Sequence, residues 1–398
     1  MRILMVAPRL PHPPVGGDRL RLNALLRHLA QRHEVHLFAL AEGRESLDTA
    51  RRELSQLAAT VRLFPLPRLA RLARCAAAAG ASRLPLQVHY FHSERMARAL
   101  RVLPRDHHDV CLASLVRTAP YVLDLEQPSV VDVQDAISLN YRRALPHVDR
   151  RTRWLYRTEI PRLERLEADV VRRAAGITMV SPVDLADLRR RTDGGRFALA
   201  GNGVDLDRFA PGGEPRPDRM LFLGNLRTVA NRDMASRLAH EVLPRVRRSR
   251  PRAELRLVGI EAGAAVQRLD DERGVQVTGP VDDPAAALRR AWLTACPMRL
   301  GAGVPNKVIE SMACGTPAVV TPMAAAALDL AQGEGVLIAD GGADSFAGAC
   351  ARLLGDPGLR AGLSARAREI AEDRFRWRDA LAPLEQLLHE VAENPGRP

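Results

Sequence analysis

Residues 2–40 read RILMVAPRLPHPPVGGDRLRLNALLRHLAQRHEVHLFAL, and this stretch decides the class of fold. The apolar run at 2–7 predicts a strand, and the run at 34–40 predicts another. Between them, a loop rich in Pro and Gly precedes leucines at helical spacing, which predict a helix. Continuous apolar runs on either side of a helix indicate strands buried on both faces of a parallel sheet.

The same alternation continues along the chain and predicts an α/β protein. A length of 398 residues favours two domains of roughly 180 residues each. The Gly- and Pro-rich stretch between the two series of strands is typical of a linker. The further strand candidates are 109–114, 129–134 and 176–181 in the first half, and 219–224, 253–259, 275–279, 293–298, 317–322 and 335–340 in the second. We predict a first domain at 1–204, a linker at 205–217, a second domain at 218–374, and a final segment at 375–398 whose helix crosses back to the first domain.

Composition excludes several classes of protein. The five cysteines are scattered without a C-x-x-C pair, which argues against a disulfide framework or a zinc ribbon and favours a reducing cytoplasm. The N-terminal MRILMVAP is too short for a signal peptide, and no apolar run reaches the ~18 residues of a membrane-spanning helix. The histidines, among them His89, His92, His107 and His108, show no zinc spacing.

The net charge of +12 raises the question of an anionic partner. The basic residues lack interleaved aromatics and no nucleic-acid-binding motif is present, so we expect no nucleic acid partner. Residues 65–105, rich in Arg and Ala, predict basic amphipathic helices that fit the surface of an anionic membrane. The protein is expected in the cytoplasm, and these helices could bring it to the inner face of the membrane.

The stretch GAGVPNKVIESMACGTPAVVTP at 301–322 holds Lys307, the one lysine among 59 basic residues. It predicts a helix over 306–314, with Lys307 and Glu310 facing outward together. In an open α/β sheet, ligands bind beyond the carboxyl ends of the strands, where this helix begins. Its N-terminus would attract a phosphate, and Glu310 could accept hydrogen bonds from a ribose. A surface ion pair at i, i+3 is the alternative interpretation of the same two residues.

These residues resemble a retaining glycosyltransferase of the GT-B fold, of the family 4 type. The resemblance rests on NKVIESMACGTPAVVT at 306–321, on Gly16–Gly17 after the first strand, and on GNGVDLDRF at 201–209. Within that family the chain is similar to sugar transferases found with exosortase-linked exopolysaccharide systems. That likeness is carried by GNLRTVANRDMASRLAHEVLP, PMRLGAGVPNKVIE and VDVQDAIS. The resemblance implies two Rossmann-like domains, each with a parallel sheet, facing a central cleft.

The resemblance also implies roles for residues. Glu310 would bind the ribose hydroxyls of a nucleotide sugar, while Gly16 and Gly17 would contact its phosphates from the first domain. For Gly16 and Gly17 a plain strand-to-helix turn is an equal alternative. The predicted donor-binding residues are Gly16, Gly17, Gly224, Asn225, Arg227, Asn231, Gly301, Gly303, Val304, Pro305, Asn306 and Glu310.

Two features of the family pattern are missing, its first glutamate and its basic pair. The first of the family's two glutamates falls on Ala302, so its contacts to the donor sugar are absent or supplied elsewhere. The family's basic pair falls on Asn225 and Asn231. Neutralisation of the leaving diphosphate is therefore assigned to Arg299 and Lys307, although Arg299 could be an ordinary surface arginine.

Asp135 stands where family members often carry a histidine near the reacting sugar. An aspartate at the carboxyl end of a strand could orient the acceptor hydroxyl or take its proton, and it could equally cap the next helix. Asp135, Arg299 and Lys307 are the predicted catalytic residues. No metal and no cofactor are implied, and the D-x-D spacing at 205–207 lies in the linker, where a metal role is not expected.

The predicted reaction moves a sugar from a nucleoside diphosphate, UDP being favoured, to an acceptor hydroxyl with retention of configuration. The acceptor could be a glycan, a lipid-linked glycan or a small molecule, bound by the first domain. A GT-B nucleotide-sugar epimerase and a non-catalytic nucleotide-sugar-binding protein remain alternatives.

Overall fold

The computed structural model describes residues 1–42, 47–104, 106–260 and 262–394. Arg105, the last residue of the predicted basic segment 65–105, lies outside the described residues, as do residues 395–398 of the predicted final segment. By its internal contacts the chain divides into two compact units. Unit 1 is Met1–Gly201 together with the chain from Leu381 on, and unit 2 is Asn202–Ala380.

Unit 1 alternates strands and helices. Its strands are β1 (Arg2–Ala7), β2 (Glu34–Ala41), β3 (Thr60–Pro65), β4 (Val110–Ser114), β5 (Ser129–Gln134), β6 (Gly176–Met179) and β7 (Phe197–Leu199). Its helices are α1 (Gly17–Ala30), α2 (Leu47–Ser55), α3 (Arg68–Ala78), α4 (Leu86–Tyr90), α5 (Glu94–Arg101), α6 (Ala119–Val122), α7 (Ile137–Ala144), α8 (Arg150–Arg173) and α9 (Pro182–Arg191).

Unit 2 repeats the alternation. Its strands are β8 (Arg219–Leu223), β9 (Glu254–Val258), β10 (Val275–Thr278), β11 (Leu293–Cys296), β12 (Ala318–Val320) and β13 (Val336–Ile338). Its helices are α10 (Val229–Arg237), α11 (Leu243–Ser249), α12 (Ala264–Gln267), α13 (Pro284–Arg289), α14 (Asn306–Ala313), α15 (Pro322–Leu328), α16 (Ala343–Gly355) and α17 (Pro357–Arg374). The last helix, α18 (Trp377–Glu393), begins in unit 2 and continues into unit 1.

Each unit has one parallel sheet with a reversal of strand order at its centre. Within the described ranges, the sheet of unit 1 has the order β3-β2-β1-β4-β5-β6-β7, and that of unit 2 has the order β10-β9-β8-β11-β12-β13. The chain therefore proceeds in opposite directions from β1 and β4, and from β8 and β11. Such a switch point opens a crevice at the carboxyl ends of the two central strands. The predicted α/β fold with two Rossmann-like domains and parallel sheets is confirmed.

All eleven predicted strands are present, but β3 and β7 were not predicted. Both lie at edges of the sheet of unit 1. Their residues are half-buried or exposed, whereas those of the central strands are almost entirely buried. An edge strand keeps one side in contact with water, so it lacks the continuous apolar run by which central strands are recognised.

The stretch 65–105 forms helices α3, α4 and α5, as its pattern predicts. Leu69 of α3 is 81% exposed and Val102, just after α5, is 77% exposed, so apolar side chains lie among arginines on this surface. In the part of the chain that the structure covers, none of the helices combines the length and apolar character needed to cross a bilayer.

A buried ion pair joins α1 to β5 at the centre of unit 1. Arg21 and Asp132 are 1% and 0% exposed and form a two-point contact, with Nε to Oδ2 at 3.0 Å and Nη2 to Oδ1 at 2.8 Å. Asp132 also accepts hydrogen bonds from Thr178 Oγ1 at 2.7 Å and Gln134 Nε2 at 3.1 Å. Arg21 Nη1 donates to the carbonyl oxygen of Gly201 at 2.6 Å. Both charges are thus satisfied, which buried charges require.

Replacing Asp132 by Ala should destabilise unit 1 by about 3–5 kcal/mol, because it leaves the Arg21 guanidinium buried without its counter-charge. Peptide-resolved hydrogen exchange in increasing urea measures this loss for unit 1 separately. The control is Glu94→Ala, which removes an exposed ion pair to Arg98 and should cost far less stability than Asp132→Ala, because water screens the exposed charges. Equal losses in the two variants would contradict a stabilising role for the buried pair.

Candidate functional site

The loop before α14 in unit 2 is shaped by two glycines with positive φ. Gly301 has φ +112° and Gly303 has φ +73°, which residues with a Cβ rarely adopt. The loop follows β11, one of the two central strands of the switch point, and leads through Pro305 into the helix. The helix ends at Ala313, with Gly315 at φ +68° beyond it, close to the predicted range 306–314. The predicted residues Gly301, Gly303, Val304, Pro305 and Asn306 thus form one continuous segment at the crevice.

Lys307 does not face outward with Glu310 as predicted. It is buried at the start of α14, where Nζ donates to Asn231 Oδ1 at 2.9 Å and lies 4.8 Å from the centre of the Phe222 ring. Burial lowers its pKa. The prediction was wrong because helix periodicity marks an apolar stripe, and a lysine with a long apolar stem can be buried beside that stripe.

Glu310 lies one turn further along α14 and is half-buried. Burial raises the pKa of its carboxyl to about 7, while Lys307 and Arg208 act in the opposite direction. Among the described residues, no side chain or backbone group donates a hydrogen bond to this carboxylate. Its oxygens are therefore available to accept hydrogen bonds from a ligand such as a diol.

The residues predicted after β8 lie beside Lys307. Asn231 Nδ2 donates to the carbonyl oxygen of Asn225 at 2.8 Å, and Asn225 Oδ1 accepts from the backbone N–H of Arg227 at 2.9 Å. A Cβ on Gly224 would come within 3.0 Å of the Asn231 side chain, so the two segments pack closely. Asn231 therefore connects the loop after β8 to the helix after β11, across the switch point.

Arg299 was predicted to neutralise a diphosphate, but its charge is already paired. Nε and Nη2 donate to the two carboxylate oxygens of Asp233 at 2.9 and 2.7 Å. Lys307, in contrast, is bonded to a neutral amide. Lys307 therefore keeps its charge available to a ligand, which Arg299 does not. Asn306, next to it, accepts a hydrogen bond from Asn202 Nδ2 at 2.8 Å.

In unit 1 the predicted glycines mark the start of α1. Gly16 is the N-terminal cap of that helix and has φ +93°. An added Cβ would meet only Asp18 Oδ1, at 3.8 Å, so the requirement for glycine comes from the backbone angle. Gly17 is the first helical residue, and both follow β1 at the switch point of this sheet. The backbone N–H of Arg19 in the first turn donates to Asp18 Oδ1 at 3.0 Å, so a carboxylate of the chain itself already lies at this helix start.

Asp135 follows a kink at the end of β5. The register between β5 and β6 shifts between Asp132 and Gln134, and Gln134 has φ +66°. The cap position of α7 is taken by Ala136, so the interpretation of Asp135 as a helix cap is wrong. Burial raises the pKa of Asp135 to about 7, with a further contribution from Asp184, and Arg21 opposes the shift. A carboxyl group with such a pKa is suited to proton transfer near neutral pH.

Sequence reasoning missed Arg9 and Arg117, which also lie near the switch point of unit 1. Arg117 follows β4 and its guanidinium lies 4.7 Å from the centre of the Phe91 ring, with Arg9 at 5.7 Å from the same ring. Arg9 Nη1 also donates to Asp18 Oδ2 at 3.0 Å, so the charge of Arg9 is already paired. Burial lowers the pKa of Arg117 to about 10, with Arg9 adding to the effect, so it stays charged at neutral pH. Their positions directly after central strands were the signal that could have identified them.

Part of the chain matches a known protein family. Residues 217–356 match the family described as glycosyl transferases group 1, and this range contains the α14 site. The phosphatidyl-myo-inositol mannosyltransferase of Mycolicibacterium smegmatis is 32% identical over 228 residues, which are 54% of this chain and 58% of that protein. The chain covers between 45% and 58% of the length of the curated relatives it matches.

Solved structures resemble the whole chain. Sucrose-phosphate synthase from Thermosynechococcus elongatus superposes with a TM-score of 0.74 at 16% identity, covering 98% of this chain and 99% of that one. Anabaena HepE in complex with UDP-glucose gives a TM-score of 0.67 at 16% identity, covering 99% and 100%. The fold and these matches define a GT-B glycosyltransferase architecture.

Replacing Lys307 by Met tests whether this lysine serves stability. Burial lowers the pKa of Lys307 in the folded state. The charged ammonium therefore reduces the free energy of unfolding at every pH below the lowered pKa, and this cost disappears above the ordinary value of 10.5. Met keeps the apolar contact with Phe222, and we expect Lys307→Met at pH 7 to be within about 1 kcal/mol of wild type or more stable. Urea unfolding at pH 7 measures the difference. A loss above about 2 kcal/mol would show that Lys307 is retained for stability.

Proposed function

We propose that the protein is a retaining glycosyltransferase that transfers a sugar from a nucleoside diphosphate to an acceptor hydroxyl. The observation that carries the proposal is the α14 site. A glycine loop, an available carboxylate at Glu310 and a buried cation at Lys307 meet at the switch point of unit 2, inside the range that matches glycosyl transferases group 1.

The donor in this proposal is a UDP-sugar. Glu310 would accept hydrogen bonds from the ribose, and the loop from Gly301 to Pro305 would lie against the diphosphate and sugar. Anabaena HepE, a protein of the same fold, was crystallised in complex with UDP-glucose, which supports a nucleotide sugar as ligand. Ala302 leaves the recognition of the sugar itself to other groups, so the hexose is not assigned.

Catalysis in this proposal comes from positioning and from stabilisation of the leaving diphosphate. The start of α14 and the Lys307 ammonium would supply positive charge as the bond to the diphosphate breaks. Asn225 and Asn231 would donate hydrogen bonds where related enzymes have a basic pair. Asp135, with its pKa raised to about 7, would orient the acceptor hydroxyl or take its proton. We assign no metal and no cofactor to the reaction.

For the acceptor we propose a hydroxyl compound with a nearby phosphate, either as a lipid-linked glycan or as a small molecule. Arg117 supports an anionic group on the acceptor, since it is a cation that follows the central strand β4 of unit 1. The mannosyltransferase named above acts, by its name, on a phosphatidyl-inositol. Similarity to exopolysaccharide-associated transferases, and hence a growing polysaccharide as acceptor, stays a prediction.

A non-catalytic nucleotide-sugar-binding protein is the second candidate, and the observation that favours it is Ala302 in place of the family's first glutamate. Such a protein would bind the donor without ever breaking the sugar–phosphate bond. An epimerase would break that bond without an acceptor. The reaction products therefore separate the three functions.

A panel of nucleotide sugars tests the site and the reaction together. We expect wild type to bind one UDP-sugar and to release free sugar slowly, and Glu310→Ala to bind it about 10- to 100-fold more weakly because two charge-assisted hydrogen bonds are lost. Calorimetry measures binding and chromatography detects UDP. The control is Glu369→Ala, an exposed carboxylate of unit 2. Absence of nucleotide-sugar binding in wild type, or unchanged binding in Glu310→Ala, would contradict the site.

We further propose that the enzyme acts in the cytoplasm and touches the inner face of the membrane through α3 to α5. Sedimentation with anionic phospholipid vesicles should therefore pull down wild type, while Leu69→Asp should bind them several-fold less, because it places a carboxylate on the exposed apolar surface. The matched control is Leu199→Asp on edge strand β7, which is also exposed. Binding to neutral vesicles alone, or none at all, would contradict this contact.

A further inference from the structure

Three imidazole rings meet at the amino-terminal edge of the sheet of unit 1. His36 is near the start of β2, while His107 and His108 lie just before β4. The ring centres are 5.1 Å apart for His36 and His107, 4.8 Å for His36 and His108, and 4.6 Å for His107 and His108. Parallel strands start at the same edge of a sheet, so the fold brings together residues about 70 positions apart. This edge is opposite to the carboxyl ends where Gly16 and Asp135 lie.

The nitrogen atoms of the three rings are close enough to share one metal ion. One ring nitrogen from each residue can be chosen so that the three atoms lie within 4.8 Å of one another. The closest pair is His108 Nε2 and His36 Nδ1, at 3.0 Å. Two nitrogen ligands at the usual distance from a tetrahedral zinc ion are about 3.3 Å apart. The two rings would therefore need to move apart by only a few tenths of an ångström for an ion to replace the hydrogen bond between these two nitrogen atoms.

The surroundings of the rings resemble those of a ligand set. Glu34 Oε1 lies 3.0 Å from His36 Nε2. Because a carboxylate accepts a hydrogen bond, it favours the His36 tautomer with the proton on Nε2, whose lone pair on Nδ1 faces the other rings. His108 is buried, and its Nδ1 has no hydrogen-bond partner among the residues that the structure describes. That ring can therefore place its proton on either nitrogen without breaking a second hydrogen bond. His107 is half-exposed, which leaves a path from solvent.

We propose that His36, His107 and His108 form a binding site for a divalent transition metal ion of the zinc class. Three neutral imidazoles are a ligand set preferred by Zn²⁺, Ni²⁺ and Cu²⁺ over Mg²⁺ or Ca²⁺, and a water molecule would complete four-fold coordination. The ion would fasten the segment before β4 to β2 and so act on the stability of unit 1. The site shares no residue with those proposed for sugar transfer, so the failure of one proposal would not contradict the other.

A second group, His33, Glu385 and His389, is less suited to a metal. The Glu385 carboxylate is already in contact with three nitrogen atoms: His33 Nε2 at 2.9 Å, His28 Nε2 at 2.8 Å and Arg32 Nη2 at 3.1 Å. A metal ion would have to displace these donors and would lie beside the Arg32 charge. In the triad of histidines, by contrast, Glu34 contacts the outer nitrogen of one ring, and no cation among the described residues is bonded to the three rings themselves.

The test uses the full chain without a polyhistidine tag, freed of metal by a chelator. Titration with Zn²⁺ against a chromophoric chelator should give one tight equivalent, and Co²⁺ should give the intense visible absorption of four-fold coordination. His107→Ala should weaken the binding at least about ten-fold and abolish the rise in melting temperature that Zn²⁺ produces. Circular dichroism verifies that the variant is folded, and His107→Gln replaces it if the alanine variant is not.

Two matched controls locate the ion. His240→Ala removes an exposed histidine of unit 2, and His389→Ala removes a ligand of the second group; both should bind Zn²⁺ as wild type does. The proposal is overturned if wild type binds no Zn²⁺, if His107→Ala binds it as tightly as wild type, or if His389→Ala is the variant that loses it. Several weak equivalents, unchanged in all variants, would mean adventitious surface binding only and would equally overturn it.

Discussion

The buried pair of Arg21 and Asp132 is the constraint on which unit 1 depends. Charges of this kind are stable in an interior only when all their hydrogen-bonding groups find partners. The carboxylate accepts from Arg21, Thr178 and Gln134, and the guanidinium also reaches the Gly201 carbonyl. The pair therefore fixes the rotation of α1 against β5 and β6. Because Gly16 begins that helix and Asp135 follows that strand, the same contact positions both candidate residues of the unit.

Unit 2 positions its site by a different means. The buried ammonium of Lys307 is bonded to an amide, Asn231 Oδ1, and lies over the Phe222 ring. Among the residues that the structure describes, no carboxylate contacts this ammonium, an arrangement that is costly for folding and useful for binding an anion. Arg299 shows the opposite arrangement, with both its donors on Asp233. A surface arginine can thus look catalytic by its position while its charge is already used.

The two ends of the sheet in unit 1 carry different chemistry. The carboxyl ends hold the start of α1 together with the Arg117 guanidinium and the carboxyl of Asp135, the two groups that we propose for the acceptor. The amino ends hold three imidazoles that are suited to a metal ion. In a parallel sheet all amino ends lie at one edge and all carboxyl ends at the other, so each edge brings together side chains that are distant in sequence. The two proposed sites therefore lie at opposite edges of the same sheet.

The sequence by itself determined the class of fold, the central strands, the glycine loop and the helix that follows it. These features depend on local rules: apolar runs make buried strands, helical spacing makes helices, and positive φ requires glycine. It also pointed to Glu310 and to the residues after β8 through resemblance. The edge strands β3 and β7 escaped prediction because they are half in contact with water.

Only the tertiary structure decided which charges are buried and which are paired. Lys307 lies beneath the surface, Arg299 is held by Asp233, and Asp135 stands beyond a kink and caps no helix. The histidines at 107 and 108 showed no metal spacing because the third ring comes from β2, a strand far away in the chain. Partners of this kind are set by the order of strands in the sheet, and pairing across a sheet leaves no local pattern in the sequence.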